Sequence, residues 1–508
     1  MAFRRTPSTA WSSGAVLPPL PRPDRASLNA AALAVGLTAF TSLLVVAGGP
    51  GIRLSAAFAI GLLLMTLARA RPALGILAAF VFLVFLALIR RVLLGVSDWT
   101  SGDPLILIAP VVALILIAKA FALDRRPIAP DLISRLVLVL LLMTFAQVFN
   151  PLGGGIGAGI AGLVFMAFPL FWFFAGRDYL EDRDVERLMG IIVVLGIAVS
   201  LYGLWQLVIG HPPWDQAWLE LPNVESFTSL DVGGSIRGFG TFSGFLEYGL
   251  FLGMALALAV WFVLEGKLVA LLPIPLLAVA LVMSGHRQPL LFCFLAIAAM
   301  TGMKTGRPKT ALLVASVAGV LGIGLVFAAS AVLPEGGGNA FVGRQVQGLA
   351  DPLNPESSTL FIHAELAYAG IKAGFTHPFG LGTSATNAAA GVGKSDADEK
   401  LDTEHTLGEG SASTDLDFSN AFVAYGAAGG LLYVGLLLTV LITAIRLYFR
   451  GELIMLPIVG VLLANIGQWH NGGNYALSAL VWMLIGVVAA RWYAERAAQS
   501  RSEARPVG

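Results

Sequence analysis

Apolar residues dominate the chain and are grouped into runs that are long enough to cross a lipid bilayer as helices. A helix rises about 1.5 Å per residue, so crossing about 30 Å of hydrocarbon takes about 17 to 25 mostly apolar residues. Scanning for such runs predicts about fourteen spans, with about twelve as the lower limit. Their approximate centres are Leu37, Ile60, Phe80, Val112, Leu140, Leu163, Leu195, Met254, Ala278, Ile297, Val320, Val434, Leu462 and Met483. The pattern predicts an all-α fold, a polytopic transmembrane helix bundle.

Polar stretches divide this pattern into a few regions. The predicted organisation is an N-terminal leader at 1–27, transmembrane helices at 28–332 with a loop near 210–243, a large loop at 333–417, C-terminal transmembrane helices at 418–492 and a tail at 493–508. The apolar run at 28–47 has the length of a signal anchor rather than of a cleaved signal peptide. Residues 360–375 of the large loop are amphipathic, so we expect this loop to contain helices.

Composition supports the membrane class and narrows the chemistry. The chain of 508 residues is 57% hydrophobic and only 12% charged, with a mean hydropathy of +0.81, whereas soluble domains contain about a quarter charged residues. The net charge is +1, which gives no reason to expect a nucleic-acid partner. The single cysteine, Cys293, excludes an intramolecular disulfide and a cysteine-built metal site, and its apolar surroundings indicate a small buried hydrophobe.

The distribution of Lys and Arg predicts the orientation. If the N-terminus is cytoplasmic, most basic residues lie on the inner side, as cytoplasmic retention of positive charge requires. Both termini are then cytoplasmic, and both long loops face outward. The few basic residues assigned to the outer side are Arg53, Arg90, Arg91, Arg237, Arg287, Arg344, Lys372, Lys394 and Lys400. All six histidines also map to outer loops or to the outer ends of spans, where imidazoles are the usual proton-transfer groups near neutral pH.

Candidate chemistry concentrates near two of these outer arginines. Arg237 precedes Gly238 and Gly240, glycines that allow the backbone to approach a ligand, and its guanidinium suits bidentate contact with phosphate. Arg287 ends a polar Ser-Gly-His-Arg phrase between two apolar spans. Glu247 lies near membrane depth, where a carboxylate marks a function or a salt bridge. The alternative for both arginines is an interfacial anchor that extends toward lipid head groups.

The large loop supplies further candidates. Arg344 precedes the amphipathic run, His363 lies within it, and His377 opens the phrase His-Pro-Phe-Gly-Leu-Gly after it. Such a glycine-rich phrase would bring the backbone close to a substrate, although an ordinary helix-to-loop turn also explains it. The spacing of His and carboxylate residues does not resemble a helical zinc site, so the expected chemistry needs no metal.

Four phrases together resemble the O-antigen ligase and Wzy-type polysaccharide polymerase superfamily of bacterial inner-membrane glycosyltransferases. Arg237 with Gly240-Thr241-Phe242 is similar to the family's Arg and Gly-Thr-Phe element, and Ser284 to Arg287 is similar to its Ser-Gly-x-Arg element. The run ending in His377-Pro-Phe-Gly-Leu-Gly382 resembles the family's loop helix and following turn. Ser419-Asn420 with the later Gly430-Leu-Leu-Tyr433 matches the spacing of its His-Asn motif. The resemblance covers 235–433.

The chain also departs from that family pattern. Ser419 stands where ligases have the histidine proposed to deprotonate the acceptor, and serine cannot act as that base without help. Phe245-Leu246 replaces the family's Pro-Asn, and His363 lies near the position of an arginine that is often found at the start of the loop helix. These differences favour a polymerase or exopolysaccharide branch over a lipid A-core ligase.

The resemblance implies glycan transfer in the bacterial inner membrane, on its periplasmic face, without a cofactor. The donor would be an undecaprenyl-pyrophosphate-linked oligosaccharide and the acceptor a glycan hydroxyl, with the lipid bilayer and a chain-length regulator as further partners. Arg237, Arg287 and Arg344 would bind pyrophosphate, because fixed cations stabilise a departing anion. The candidate bases are His363, His377 and Glu247, followed by Glu365 and Asp417.

Two other functions remain open from the sequence. A transporter or flippase for a lipid-linked oligosaccharide would also need many spans and interior polar residues. It gives no reason for a loop of this size, and the two halves of the chain show no convincing repeat. A noncatalytic membrane scaffold explains the arginine positions least well.

Overall fold

The chain folds as a bundle of α-helices in the computed structural model. The structure describes residues 51–97, 103–221, 231–232, 235–307, 309, 360–386, 416–470 and 473–503. Its α-helices are α1 (Gly51–Ala70), α2 (Pro72–Val92), α3 (Ile108–Ala118), α4 (Leu132–Gln147), α5 (Ile156–Tyr179), α6 (Asp182–Val208), α7 (Pro213–Leu219), α8 (Phe245–Leu264), α9 (Ile274–Met283), α10 (Arg287–Thr305), α11 (Leu360–Thr376), α12 (Asp417–Phe449), α13 (Met455–Ala464) and α14 (Tyr475–Glu503).

Short elements complete the described structure. The turns of 3-10 helix are Leu93–Gly95, Pro104–Leu107, Leu268–Leu271 and Thr383–Ala385, and Lys119–Leu123 is a π-helical turn. Strands β1 (Asp231–Val232) and β2 (Ser235–Ile236) form an antiparallel pair, with Asp231 opposite Ile236 and Val232 opposite Ser235.

The predicted all-α, multi-pass membrane class is confirmed for the described part of the chain. Nine of its helical segments are long and apolar enough to cross a bilayer, and three shorter apolar helices accompany them. Every predicted span centre that falls among the described residues lies in a helical segment. The centres at Leu37 and Val320 lie outside those residues, and the total of about fourteen spans stays a prediction.

Successive helices alternate in direction, so the connections between them lie at two opposite ends of the bundle. The charged residues at these two ends make different kinds of contact. One end carries several solvent-accessible ion pairs, among them Lys304 with Glu265 and Arg450 with Glu495. The other end carries the connections that contain Arg237 and Arg287. We call it the arginine end. This segregation agrees with the sequence-based orientation, in which the arginine end faces outward; the sidedness itself stays a prediction.

Among the described helices, α5 and α14 pack together most closely. A Cβ atom on Gly176 would lie 2.0 Å from the Met483 carbonyl oxygen, and one on Gly486 would lie 2.1 Å from the Phe173 carbonyl oxygen. These glycines therefore let the two backbones touch, as small residues do at helix interfaces in membranes. The buried aromatic side chains Phe173 and Trp482 fill the surrounding core.

Helix α12 is broken at Gly426, whose φ of 73° and ψ of −174° are not helical. The break is filled by the turn after α11, where the Leu381 N–H donates to the Val423 carbonyl at 2.8 Å. A Cβ on Gly426 would lie 2.1 Å from the Pro378 carbonyl oxygen, and one on Gly380 would lie 2.2 Å from that of Ala424. The freed backbone groups of the broken helix are thus paired inside the protein, as the bilayer environment demands.

This packing explains the Gly-Leu-Gly phrase. The sequence allows two interpretations of Gly380 and Gly382: a close approach of the backbone to a substrate, or an ordinary helix-to-loop turn. The close approach that Gly380 makes is instead to the backbone of α12. Both glycines have positive φ, 76° and 99°, so each serves a turn that other residues rarely adopt.

We expect Gly426→Ala to destabilise the protein strongly, because it combines a left-handed backbone with a steric clash. The matched control is Gly435→Ala in the same helix, where a Cβ would meet nothing within 4 Å. That control should be neutral or stabilising by about 0.5–1 kcal/mol. Thermal unfolding of the detergent-solubilised proteins measures the difference, and equal melting temperatures for the two variants would contradict the packing described here.

Candidate functional site

Arg91, at the end of α2, organises the arginine end. Its guanidinium is 1% exposed and pairs with the Asp215 carboxylate, with Nε and Oδ1 separated by 2.6 Å. Its Nη atoms donate to the carbonyl oxygens of Gly240 at 2.6 Å and Phe242 at 2.5 Å. The Phe239 ring lies below the guanidinium, 4.7 Å from Cζ to the ring centroid. One buried cation therefore holds three residues of the segment that follows Arg237.

Gln206 holds the same segment from α6. Its Oε1 accepts hydrogen bonds from the backbone N–H groups of Phe239 at 3.0 Å and Gly240 at 2.7 Å. Its Nε2 donates to Asp215 at 2.7 Å, and the Tyr202 hydroxyl donates to the same carboxylate oxygen at 2.7 Å. Both carboxylate oxygens of the buried Asp215 thus accept hydrogen bonds. A buried charge is tolerated only when its polar atoms are paired in this way.

His211 covers the other side of Phe239. The two rings are stacked with centroids 5.4 Å apart. Burial lowers the pKa of His211, while the nearby Asp215 carboxylate and a hydrogen bond to the Arg237 backbone act in the opposite direction. His211 therefore supports the Arg237 backbone as a packed, mostly neutral ring.

Two of the three predicted phosphate-binding arginines belong to neighbouring parts of the structure. The Arg237 guanidinium lies over the Phe245 ring, 4.7 Å from its centroid. The other neighbour of Phe245 is the His286 ring, with centroids 5.1 Å apart. Arg287 is the next residue along the chain and begins α10. Both arginine side chains are half-buried. We call Arg237, Phe245, His286 and Arg287 the arginine cluster.

Close packing between α8 and the start of α10 holds this cluster together. A Cβ on Gly249 would lie 3.0 Å from Cγ of Pro289 and 3.3 Å from Oγ of Ser284. Phe245 and Gly249 are four residues apart, so they lie on the same face of α8. Cys293, one turn further along α10, is fully buried as predicted.

Glu247 occupies a different face of the same helical turn. Its carboxylate is buried and accepts a hydrogen bond from the Ala476 N–H at 3.0 Å. Leu477 also directs its backbone N–H to this carboxylate. Glu247 thus caps the N-terminus of α14, because its side chain accepts hydrogen bonds from N–H groups that have no partner within the helix. This contact gives Glu247 a structural role; its predicted role as a base stays a prediction.

Arg53 and Arg90 belong to another buried ion cluster at the arginine end. They share the Asp103 carboxylate, with nitrogen–oxygen distances of 2.6 Å and 3.0 Å. Asp103 also accepts from the Leu105 N–H at 3.0 Å and so starts the turn before α3. These two arginines join the beginning of α1, the end of α2 and the approach to α3.

The predicted bases His363 and His377 lie on and after α11, which packs against α12. The Nδ1 atom of His377 lies 3.1 Å from the Thr376 hydroxyl and 3.3 Å from the Ala373 carbonyl oxygen. A proton on Nδ1 leaves Nε2 as the acceptor. Within the described residues, the contacts that unite Arg237 with Arg287 do not extend to either histidine. Arg344 lies outside the described residues.

A buried polar group surrounds the connection between α13 and α14. The sequence patterns single out only one of its members, Asp417, as a candidate base. Asp417 accepts from the His470 N–H at 2.5 Å, and its own N–H donates to the Gly467 carbonyl at 2.8 Å. The His470 Nε2 lies 3.2 Å from the Tyr425 hydroxyl, which lies 2.9 Å from the Thr144 hydroxyl. The signal was the run of Asn, Gln, His and Gly between two apolar spans.

His470 is a neutral ring in this group. Its side chain is 2% exposed, and burial lowers its pKa from the usual 6.5 to about 3. The rings of Tyr433 and Trp482 enclose it at centroid distances of 5.8 Å and 5.6 Å. A histidine in this environment accepts a proton only at low pH, so it stabilises the fold rather than serving as a base at neutral pH.

In the part of the chain that the structure describes, no group of three or more His, Cys, Asp or Glu side chains is arranged to hold a metal ion. No protein-family model, curated protein or solved structure matches the chain. The resemblance to the ligase and polymerase superfamily therefore stays a prediction.

We expect Arg91→Leu to destabilise the protein by about 3 kcal/mol or more, because it leaves the buried Asp215 carboxylate without its cation. The matched control is Arg187→Leu, which removes a 3.0 Å pair with Asp184 from a side chain that is 56% exposed. That change should cost less than about 1 kcal/mol. Chemical unfolding of both purified variants provides the measurement, and a similar loss in both would contradict the central role of Arg91.

Stability should fall on acidification because of His470. Its pKa in the folded protein, about 3, is below the usual 6.5, so the unfolded chain binds the extra proton first. The neutral form is fully favoured above pH 6.5, and its contribution is lost as the pH falls toward 3. Between pH 6.5 and 5 the loss from this residue should be about 2 kcal/mol.

The comparison variant for this pH test is His470→Gln, which keeps a polar side chain without a titrating group. We expect a shallower decline of unfolding free energy in the variant over the same pH range. Parallel curves for the two proteins would show that His470 does not carry the acid sensitivity.

Proposed function

We propose that the chain transfers a glycan from a lipid-pyrophosphate carrier to an acceptor sugar hydroxyl at its arginine end, as a polysaccharide polymerase. The observation that supports this proposal is the arginine cluster. Arg237 and Arg287 come from segments separated by a full helix and a shorter apolar helix, yet Arg237 contacts Phe245, which in turn contacts His286, the residue before Arg287. Half-buried guanidinium groups at the end of a membrane bundle suit an anion attached to a lipid.

In the proposed reaction, the acceptor oxygen forms a bond to the anomeric carbon of the donor glycan. The bond from that carbon to the pyrophosphate oxygen breaks, and the lipid pyrophosphate leaves with the electron pair. Arg237 and Arg287 stabilise the negative charge that accumulates on the leaving group. The backbone beside Arg237 is set before substrate arrives, because Arg91 and Gln206 hold it. Preorganised charge of this kind is the main source of electrostatic catalysis.

The proton of the acceptor hydroxyl needs a base on the protein. His377 is the candidate that we favour, because the tautomer with its proton on Nδ1 donates to the Ala373 carbonyl oxygen and presents Nε2 as the proton acceptor. His363 is the second candidate. Glu247 is less suitable for proton transfer, because its carboxylate already accepts a backbone hydrogen bond at the start of α14.

Two alternatives use the same substrate. Ligase-type transfer to a different acceptor would employ the same cluster, but Ser419 provides no base, and its hydroxyl donates to the Leu416 carbonyl at 2.8 Å. Transport of the lipid-linked glycan is favoured by a specific feature, the break of α12 at Gly426. Discontinuous helices commonly form the substrate sites of transporters.

Purified protein in liposomes, supplied with a lipid-linked repeat unit, separates these functions. Longer glycan ladders support the polymerase, and movement of the glycan to another acceptor supports the ligase. An intact substrate that crosses the bilayer would favour transport.

We expect Arg237→Lys and Arg287→Lys each to reduce glycan transfer by at least about 100-fold, the scale seen when one preorganised donor is lost. Lysine keeps the charge but cannot offer the paired donors of a guanidinium. The control is Arg187→Lys, at the opposite end of the bundle. Ladder length and initial rate are the readouts, with melting temperature as the folding check. Full activity in both cluster variants would reject the pyrophosphate role.

A further inference from the structure

One face of helix α11 packs against helix α12. Leu366, Ala373 and Gly374 are buried, and a Cβ on Gly374 would lie 2.8 Å from Cβ of Phe422 on α12. At the boundary between the packed and the exposed face, the Phe375 ring stacks on Phe422 with ring centroids 5.9 Å apart and stays 61% exposed. These contacts hold α11 against the first part of α12. The side of α11 that points away from α12 is therefore free of this packing.

The opposite face is aromatic and basic. Tyr368 is 69% exposed, Phe375 is 61% exposed and Phe379, in the turn after the helix, is 85% exposed. Lys372 is also exposed and lies between Tyr368 and Phe375. Residues 368, 372 and 375 follow the spacing of one helical face. Large aromatic side chains exposed together in this way mark a surface that meets a partner.

This face continues the lipid-facing surface of the bundle. On α4, Leu142 is 60% exposed, and Phe149, just after the helix, is 72% exposed. The end of α4 is bonded to the turn after α11, since Gln147 Nε2 donates to the Phe379 carbonyl at 2.7 Å. The exposed apolar side chains at the end of α4 therefore lie beside the turn that follows α11.

We propose that the exposed face of α11 contacts the bilayer surface at the arginine end, with Tyr368, Phe375 and Phe379 in the boundary between lipid head groups and acyl chains. Aromatic rings are enriched at that depth. Lys372 extends its ammonium group to lipid phosphates, as basic residues on interfacial helices do. The proposal concerns a bilayer surface and does not depend on the chemistry of the arginine cluster.

Spin labels test this position. The only cysteine, Cys293, is buried, so a Cys293→Ala background accepts single labels at Tyr368→Cys and Phe379→Cys in lipid nanodiscs. Two controls define the scale: Leu142→Cys on the exposed side of α4 reports lipid, and Glu220→Cys on an exposed polar site at the arginine end reports water. Collision rates with oxygen and with a nickel chelate are measured for each label.

We expect the two α11 labels to collide with oxygen more than with nickel, at a ratio between those of the controls. A ratio equal to that of Glu220→Cys would place the face in water and overturn the proposal. Low collision rates with both reagents would show that another protein segment covers the face, which also overturns it. If Phe379→Cys fails to fold, Thr376→Cys gives the same test, because Thr376 is exposed on α11 and its hydroxyl contacts only the nearby Lys372 and Ala373 carbonyls and the His377 ring.

Discussion

The buried ion pair between Arg91 and Asp215 is the interaction on which the arginine end depends. A charge pair removed from water is expensive unless every remaining donor and acceptor is used. Here the guanidinium contacts the carboxylate and the carbonyl oxygens of Gly240 and Phe242, while Tyr202 and Gln206 complete the carboxylate. The pair therefore acts as a fixed point to which the irregular segment before α8 is attached. Arg237 inherits its position from that segment.

The arginines at this end of the bundle have different described contacts. Arg53, Arg90 and Arg91 contact carboxylates in the interior. Arg237 contacts the Phe245 ring. Both Arg237 and Arg287 lie at half-buried positions. Ring faces attract a guanidinium without neutralising it. The neighbouring ion pairs hold the backbone beside Arg237, and the role of the cluster in anion binding stays a proposal.

The sequence was sufficient for the class of protein and for most helices, because a hydrophobic run of spanning length has few other solutions. It also singled out Arg237 and Arg287. It could not distinguish them from Arg91, since all three read as basic residues near the ends of spans. That distinction requires the partner Asp215, which is 124 residues away from Arg91. Likewise, Gly380 was visible as a turn residue, but its partner at the break of α12 was not. Long-range pairing of single polar groups leaves no periodic signal along the chain.

The first turn of α8 has a mechanical consequence. Phe245 supports Arg237, Glu247 binds the start of α14, and Gly249 fits against Ser284 and Pro289 beside α10. Three elements thus converge on five consecutive residues of one rigid helix. The segment before α8, the start of α14 and the start of α10 therefore have fixed relative positions, and this end of the bundle is preorganised.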